Sequence, residues 1–178
     1  AWDERRVVVC DPEGKRLCRI RGTHLSWSPD GEFLVISSNR ARTFFDWLFS
    51  NPNNDIWIFR PDGSCLTRVT KHPANDIEPS WSPDGKMIAF LDRGNKLGWP
   101  DSLFVTSVEE GIPHNLTEGY EGTVLWADWI SNEELLLLVC EDVHSRIRLL
   151  DIDTGDMKKV MRAVKAAKQL VETIKMVD

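Results

Sequence analysis

Four histidines, four cysteines and 28 acidic residues give this 178-residue chain its chemical reach, yet their spacing assembles none of the usual machines. Nucleophilic hydrolysis needs a Ser or Cys beside a His and an acid, commonly on a Gly-x-Ser-x-Gly elbow between strand and helix, and that pentapeptide is absent. His24, His72, His114 and His144 are scattered without a spacing that pairs two of them on one helix face or hairpin. Asp30 and Asp84 belong to Pro-Asp-Gly turns, Asp55 and Asp101 head apolar runs, and the Asp151–Asp156 stretch is too short for a calcium loop. Cys10, Cys18, Cys65 and Cys140 show no Cys-x-x-Cys spacing, so no zinc site is expected. Cys10 and Cys18 flank one expected hairpin, and buried free thiols rather than a structural disulfide are the expectation. Glycine-rich phosphate-binding patterns are missing, and Asn115-Leu116-Thr117, formally a glycosylation acceptor, falls at a strand end that recurs along the chain. No catalytic residue, metal or cofactor is expected.

The elements behind these residues repeat. Trp27-Ser28-Pro29-Asp30-Gly31 recurs as Trp81-Ser82-Pro83-Asp84-Gly85, 54 residues later, and each copy runs into an apolar stretch, Phe33 to Ser38 or Met87 to Asp92. Pro-Asp-Gly supplies a fixed φ, an Asx-type hydrogen bond and a residue at ease with positive φ, so each phrase reads as a hairpin between two strands. A worn third copy keeps the Trp and the strand but not the Pro and Gly: Trp129-Ile-Ser-Asn-Glu-Glu134, then Leu135 to Cys140. A second series of hairpins interleaves with the first, its glycines at 14, 63, 111 and 155. Apolar-polar pairs close three of these units: Ile20-Arg21, Val69-Thr70 and Leu116-Thr117.

Four short strands per unit of about 48 residues, with no helix between, predict an all-β chain of β-propeller blades. The expected division is a half blade at 5–21 and blades at 22–70, 71–117 and 118–162, a partial propeller over 1–162. On these residues the chain resembles the WD-like propeller repeats of the TolB protein and of prolyl-oligopeptidase-type peptidases. The resemblance spans about residues 5–162 and rests on Trp-Ser-Pro-Asp-Gly, the strand after it, Asp55-Ile-Trp-Ile or Asp101-Ser-Leu-Phe-Val, the Gly turn and Leu116-Thr117. It implies a ring of six or seven blades, of which this chain supplies about three and a half. Uncovered blade faces invite association, so the expectation is that two copies complete one ring or that the chain is part of a longer protein.

Two segments stand outside the repeat. Residues 39–54 are an apolar insertion with Phe44, Phe45, Trp47, Leu48 and Phe49, which are expected to pack under the blade, meet another subunit or line a ligand site. Past Gly155, Val160, Val164, Ala167, Val171 and Ile174 step by three and four, predicting an amphipathic C-terminal helix within 158–178 that caps the last blade, joins two copies or lies on a membrane surface.

A net charge of −6, with only 22 basic residues, argues against nucleic acid as a partner. No apolar run reaches spanning length, so no membrane span is expected, and cytoplasmic and periplasmic locations both stay open. A propeller offers partners its channel and the loops beside its innermost strands, here His24, Asp76, Glu78, Glu121 and Thr123; their acidic bias favours a basic peptide or protein. The leading expectation is a non-catalytic protein-interaction scaffold, a homodimer or one that binds another protein. The alternatives are a fragment of a peptidase's propeller domain or a small-ligand-hydrolysing propeller.

Overall fold

The computed structural model describes residues 6–39, 54–71, 74–94 and 101–159. Among them lie fourteen strands in four antiparallel sheets, and no helix. The first sheet has two strands, β1 (Arg6–Cys10) and β2 (Arg16–Arg21). The second runs β3 (Thr23–Trp27), β4 (Leu34–Ser38), β5 (Asp55–Phe59) and β6 (Cys65–Arg68), each paired with the next. The third contains β7 (Asp76–Trp81), β8 (Met87–Asp92), β9 (Ser102–Ser107) and β10 (Pro113–Asn115), and the fourth β11 (Thr123–Trp129), β12 (Glu134–Glu141), β13 (His144–Asp151) and β14 (Met157–Lys159).

The middle strands read as continuous apolar runs because both of their faces are covered. Along β4, Leu34 and Ile36 join Val9, Ile20 and Phe59 toward the first sheet, while Val35 joins Ile58, Trp81 and Phe90 toward the third. Ala89 and Leu91 of β8 then meet Leu135, Leu137 and Val139 of β12 in the seam between third and fourth sheets. Sheet packs on sheet, and every residue of β4 is buried.

Each Trp-Ser-Pro-Asp-Gly phrase is a turn held by its own side chains. The Ser82 hydroxyl donates to Asp84 Oδ1 at 2.7 Å and accepts from the Met87 amide at 2.9 Å, while Asp84 Oδ1 accepts from the Lys86 amide and Gly85 takes φ +73°. Ser28, Asp30 and Gly31 repeat this arrangement, and in both turns the serine hydroxyl holds the carboxyl below the usual carboxylate range. In the worn copy Ser131 takes over, accepting from the Glu133 and Glu134 amides. Because Ser82 is fully buried, Ser82→Ala leaves the Met87 amide without its acceptor; a loss of ~1–2 kcal/mol in urea unfolding is expected. The recurrent Thr at the end of a unit is a second device: Thr70 and Thr117 each accept, at 2.9 Å, the amide of the first core residue of the third strand, Ile56 or Leu103.

Two expectations change. The four cysteines are unpaired, but none is buried, and Cys10 is exposed. Val9 pairs with Cys18 and Cys10 with Arg16, so the alternation of the strands sends Cys10 and Cys18 to opposite faces, which no disulfide bridges. The expected helix was to begin at Lys158, yet Lys158 and Lys159 belong to β14, paired with Leu149 and Arg148. The remainder of that helix, and Phe44, Phe45, Trp47, Leu48 and Phe49 of the insertion, lie outside the described residues.

Candidate interaction surface

The first strands of the last three sheets, β3, β7 and β11, lie side by side, and the residues expected to meet a partner occur at their starts. His24 is exposed at a bulge of β3 with φ +47°, its Nδ1 3.0 Å from Thr23 Oγ1. Glu78 sits in the bulge of β7 with φ +53°, and its Oε2 is buried without a hydrogen-bond partner among the described residues. Positive φ is unfavourable for a residue with a Cβ, so both positions hold strain of roughly 1 kcal/mol against the surrounding sheet. Glu121 is exposed just before β11, and Thr123 opens that strand half-buried.

Asp76 does not belong on this surface. It is 0 % exposed, and its backbone is sewn into the seam between second and third sheets: its amide donates to the Asn54 carbonyl at 2.9 Å and its carbonyl accepts from Ser37 Oγ at 2.6 Å. Its cross-strand partner is Asp92, and the buried Asp55, ion-paired with Arg68 at 2.8 Å, adds a second negative charge nearby. Burial, Asp92 and Asp55 push the Asp76 carboxyl up to about 8 against the opposing effects of Thr70 and Arg68. At neutral pH it therefore holds its proton and offers a partner no charge. A carboxylate at a strand start looks the same in sequence whether it faces a channel or a seam; the difference is made by the neighbouring sheet.

A second cluster gave no signal in the repeat. Glu141 of β12 accepts Arg148 Nε on Oε1 at 2.9 Å and Arg148 Nη2 on both carboxylate oxygens, while Arg146 Nε approaches Oε2 at 3.1 Å and the Tyr120 hydroxyl donates to Oε1 at 2.8 Å. The Arg148 guanidinium holds the Glu141 carboxyl below its usual range, whereas burial and then Glu141 push the Tyr120 phenol up to about 12. Tyr120 lies over Gly122, where an added Cβ would come within 2.6 Å of its ring. The cluster fixes the loop that carries Glu121 onto the fourth sheet. Arg148 occupies the register position that Trp57 and Phe104 hold in the other sheets, so the fourth sheet places a charge where those two place an aromatic.

Both ends of the array present open faces. On the fourth sheet the residues alternating with the core set, Leu136 and Leu138 of β12, stand opposite Leu149 and Ile147 of β13, and Trp126 of β11 pairs with Leu138. Ile147 is 52 % exposed and Trp126 42 %. On the first sheet Val8 faces outward; β1 is an edge strand among the described residues, and Leu25 and Trp27 of β3 are 44 % and 45 % exposed. Elsewhere, a groove of about 500 Å³ between second and third sheets is lined by Arg68, Lys71, Glu109 and Glu110 among others. Among the described residues, no group of three or more His, Cys, Asp or Glu side chains is arranged to hold a metal ion, and no helix is long and apolar enough to cross a membrane.

Comparison with known proteins places this architecture. No family model matches the chain. It is 24 % identical over 139 residues to dipeptidyl-peptidase 5 of Porphyromonas gingivalis, a match that takes in 76 % of this chain and 20 % of that protein. It is 40 % identical over 52 residues to the Tol-Pal system protein TolB of Nitratidesulfovibrio vulgaris, 28 % of this chain and 12 % of that one. Among solved structures, TolB from Acinetobacter baumannii superposes with a TM-score of 0.61 at 19 % identity, covering 84 % of this chain and 35 % of its own. A prolyl endopeptidase superposes with a TM-score of 0.63 at 14 % identity, covering 90 % and 25 %. The chain thus spans between about an eighth and a third of these proteins, and what it shares with them is the β-propeller fold and its TolB and prolyl-oligopeptidase type of repeat.

Proposed function

We propose that the chain is a non-catalytic β-propeller module that serves as a protein-interaction scaffold and completes its ring by self-association. One observation carries this reading: the internal seams are packed with aliphatic side chains, whereas the two terminal sheets turn apolar side chains to solvent. A second copy covers both ends at once. The blade-start residues His24, Glu78, Glu121 and Thr123 form the surface offered to another protein, and its two carboxylates favour a basic segment. Sedimentation at micromolar concentration tests the first part, with a mass twice that of the 20.4 kDa chain expected and a stable monomer overturning it.

A second reading is favoured by the peptidase match that runs through most of the chain. Here the blades belong to the propeller of a serine peptidase and restrict access to a catalytic domain elsewhere in the polypeptide. Labelling of the native full-length polypeptide by a fluorophosphonate serine-hydrolase probe distinguishes the two, since a scaffold stays unlabelled.

A further inference from the structure

The groove between second and third sheets opens at a place that the seam before it keeps shut. In that first seam Cys18 Sγ donates to the Pro61 carbonyl at 3.2 Å, and a Cβ on Gly63 would come within 2.9 Å of Cys18 Cβ. Thr67 is the counterpart of Cys18, two residues before Val69 as Cys18 is two before Ile20, and Gly111 is the counterpart of Gly63. Here the contact is missing: nothing stands within 4 Å of the place a Gly111 Cβ would take, and Thr67 and Gly111 line open space of about 500 Å³. The floor is apolar, because Val69 and Val108 belong to the core between the two sheets. On one wall Arg68 is held by its own sheet, with Nη2 2.8 Å from Asp55 Oδ2, Nε donating to the Thr70 carbonyl at 2.9 Å and the guanidinium carbon 5.6 Å from the centre of the Trp57 ring. Asp55 balances that charge, so Arg68 contributes fixed N–H donors and the exposed Lys71 contributes the net positive charge. The other wall carries Glu109 and Glu110, both exposed, on a turn fixed by their amides donating to Ser107 Oγ at 3.2 and 3.4 Å. Lys71, Glu109 and Glu110 form no ion pair among the described residues, so the groove holds its opposite charges apart.

We infer that this groove is a binding site for a short zwitterionic peptide, whose carboxylate meets Arg68 and Lys71 and whose ammonium meets Glu109 and Glu110. A ligand with one charge satisfies one wall and leaves the other unmatched, whereas a zwitterion satisfies both and gains from each. Since the walls do not close on one another, the two ligand charges must lie several bonds apart, which favours a peptide with free termini over a single amino acid. The apolar floor takes the chain between them. Both walls belong to one chain, so the site is present whether or not a ring closes, and it is tested separately from self-association.

Titration of the ¹⁵N-labelled chain with triglycine, followed by amide chemical shifts, tests it. Saturable shifts are expected at the amides of Lys71, Glu109, Glu110 and Gly111, with a Kd on the order of 1 mM for so small a ligand. N-acetyl-triglycine, which lacks the ammonium, and triglycine amide, which lacks the carboxylate, are each expected to bind ~10-fold more weakly. Lys71→Glu and Glu109→Lys/Glu110→Lys change exposed positions only, and unchanged circular dichroism checks that the fold is kept. Each is expected to weaken triglycine ~10-fold, because two walls of one sign cannot match a zwitterion. The combined variant has its wall charges exchanged and is expected to bind triglycine more tightly than either, with the peptide reversed. The absence of saturable shifts with triglycine, or shifts confined to residues outside the groove, overturns the site. A blocked peptide that binds as well as triglycine overturns the zwitterionic ligand, and a combined variant no better than its parents overturns the pairing of the two walls.

Discussion

Asp76→Asn is expected to unfold at higher urea concentration than the wild type at pH 9, and to have lost most of the wild type's fall in stability between pH 4 and pH 8. The sign follows from the two protonation states. In the unfolded chain an aspartate releases its proton near 3.9; in the seam, burial and the charges of Asp92 and Asp55 hold the proton until about pH 8. Between those values the native state binds more protons than the unfolded one, so stability falls as pH rises and levels off above the native value. A shift of this size corresponds to roughly 6 kcal/mol as an upper bound at ~1.4 kcal/mol per unit, and relaxation around the seam leaves on the order of 2–3 kcal/mol to be read in the experiment. Asparagine keeps the shape and the polar contact with Thr70 but cannot ionise. A control at pH 4, where both proteins carry a neutral side chain, is expected to bring the two midpoints close together. Equal slopes against pH for wild type and variant would show that the seam hydrates rather than holding the proton.

What could be read from the sequence tracks how local its cause is. The Ser82-Asp84 and Ser28-Asp30 turns are written within five residues, since every bond that shapes them is made inside the phrase. The caps of Thr70 and Thr117 recur at one period because each serves the same strand of its own sheet. The partition of β4 between two seams was also legible, as continuous apolar runs require cover on both faces. Asp76 failed because its environment is made by Asn54, Ser37 and Asp55 of the sheet before it. The Tyr120, Glu141, Arg146 and Arg148 cluster was not legible for a different reason: it breaks the repeat, so nothing in the other units points to it. The expectation of buried thiols failed because strand alternation turns Cys10 to the face opposite the inward Val9 and Cys18, where it is exposed.

Trp27 and Trp81 open the same phrase, and replacing each by alanine is expected to give opposite results. Trp81 is 8 % exposed, packed in the second seam with Val35, Ile88 and Phe90; Trp27 is 45 % exposed, and among the described residues no strand on the far side of β1 covers it. Trp81→Ala opens a cavity between sheets two and three and is expected to lower stability by ~3–5 kcal/mol. Its Nε1 is buried without a hydrogen-bond partner among the described residues, whereas Trp129 Nε1 donates to the Ser80 carbonyl at 3.1 Å, so Trp81 contributes through packing alone and Trp81→Phe should recover most of the loss. Trp27→Ala should cost less than ~1 kcal/mol in dilute solution, where its ring meets water in both states. At concentrations where copies associate, the same change should weaken the association by ~2 kcal/mol, the scale of an aromatic anchor buried only in the contact. Urea unfolding of both variants at nanomolar and at micromolar protein separates these contributions. A concentration-independent penalty for Trp27→Ala would place that ring in the fold and remove it from the contact. The concentration dependence therefore locates the role of each copy of the phrase: Trp81 closes a seam within the chain, and a penalty for Trp27→Ala that is present only at micromolar protein assigns Trp27 to the proposed contact between copies.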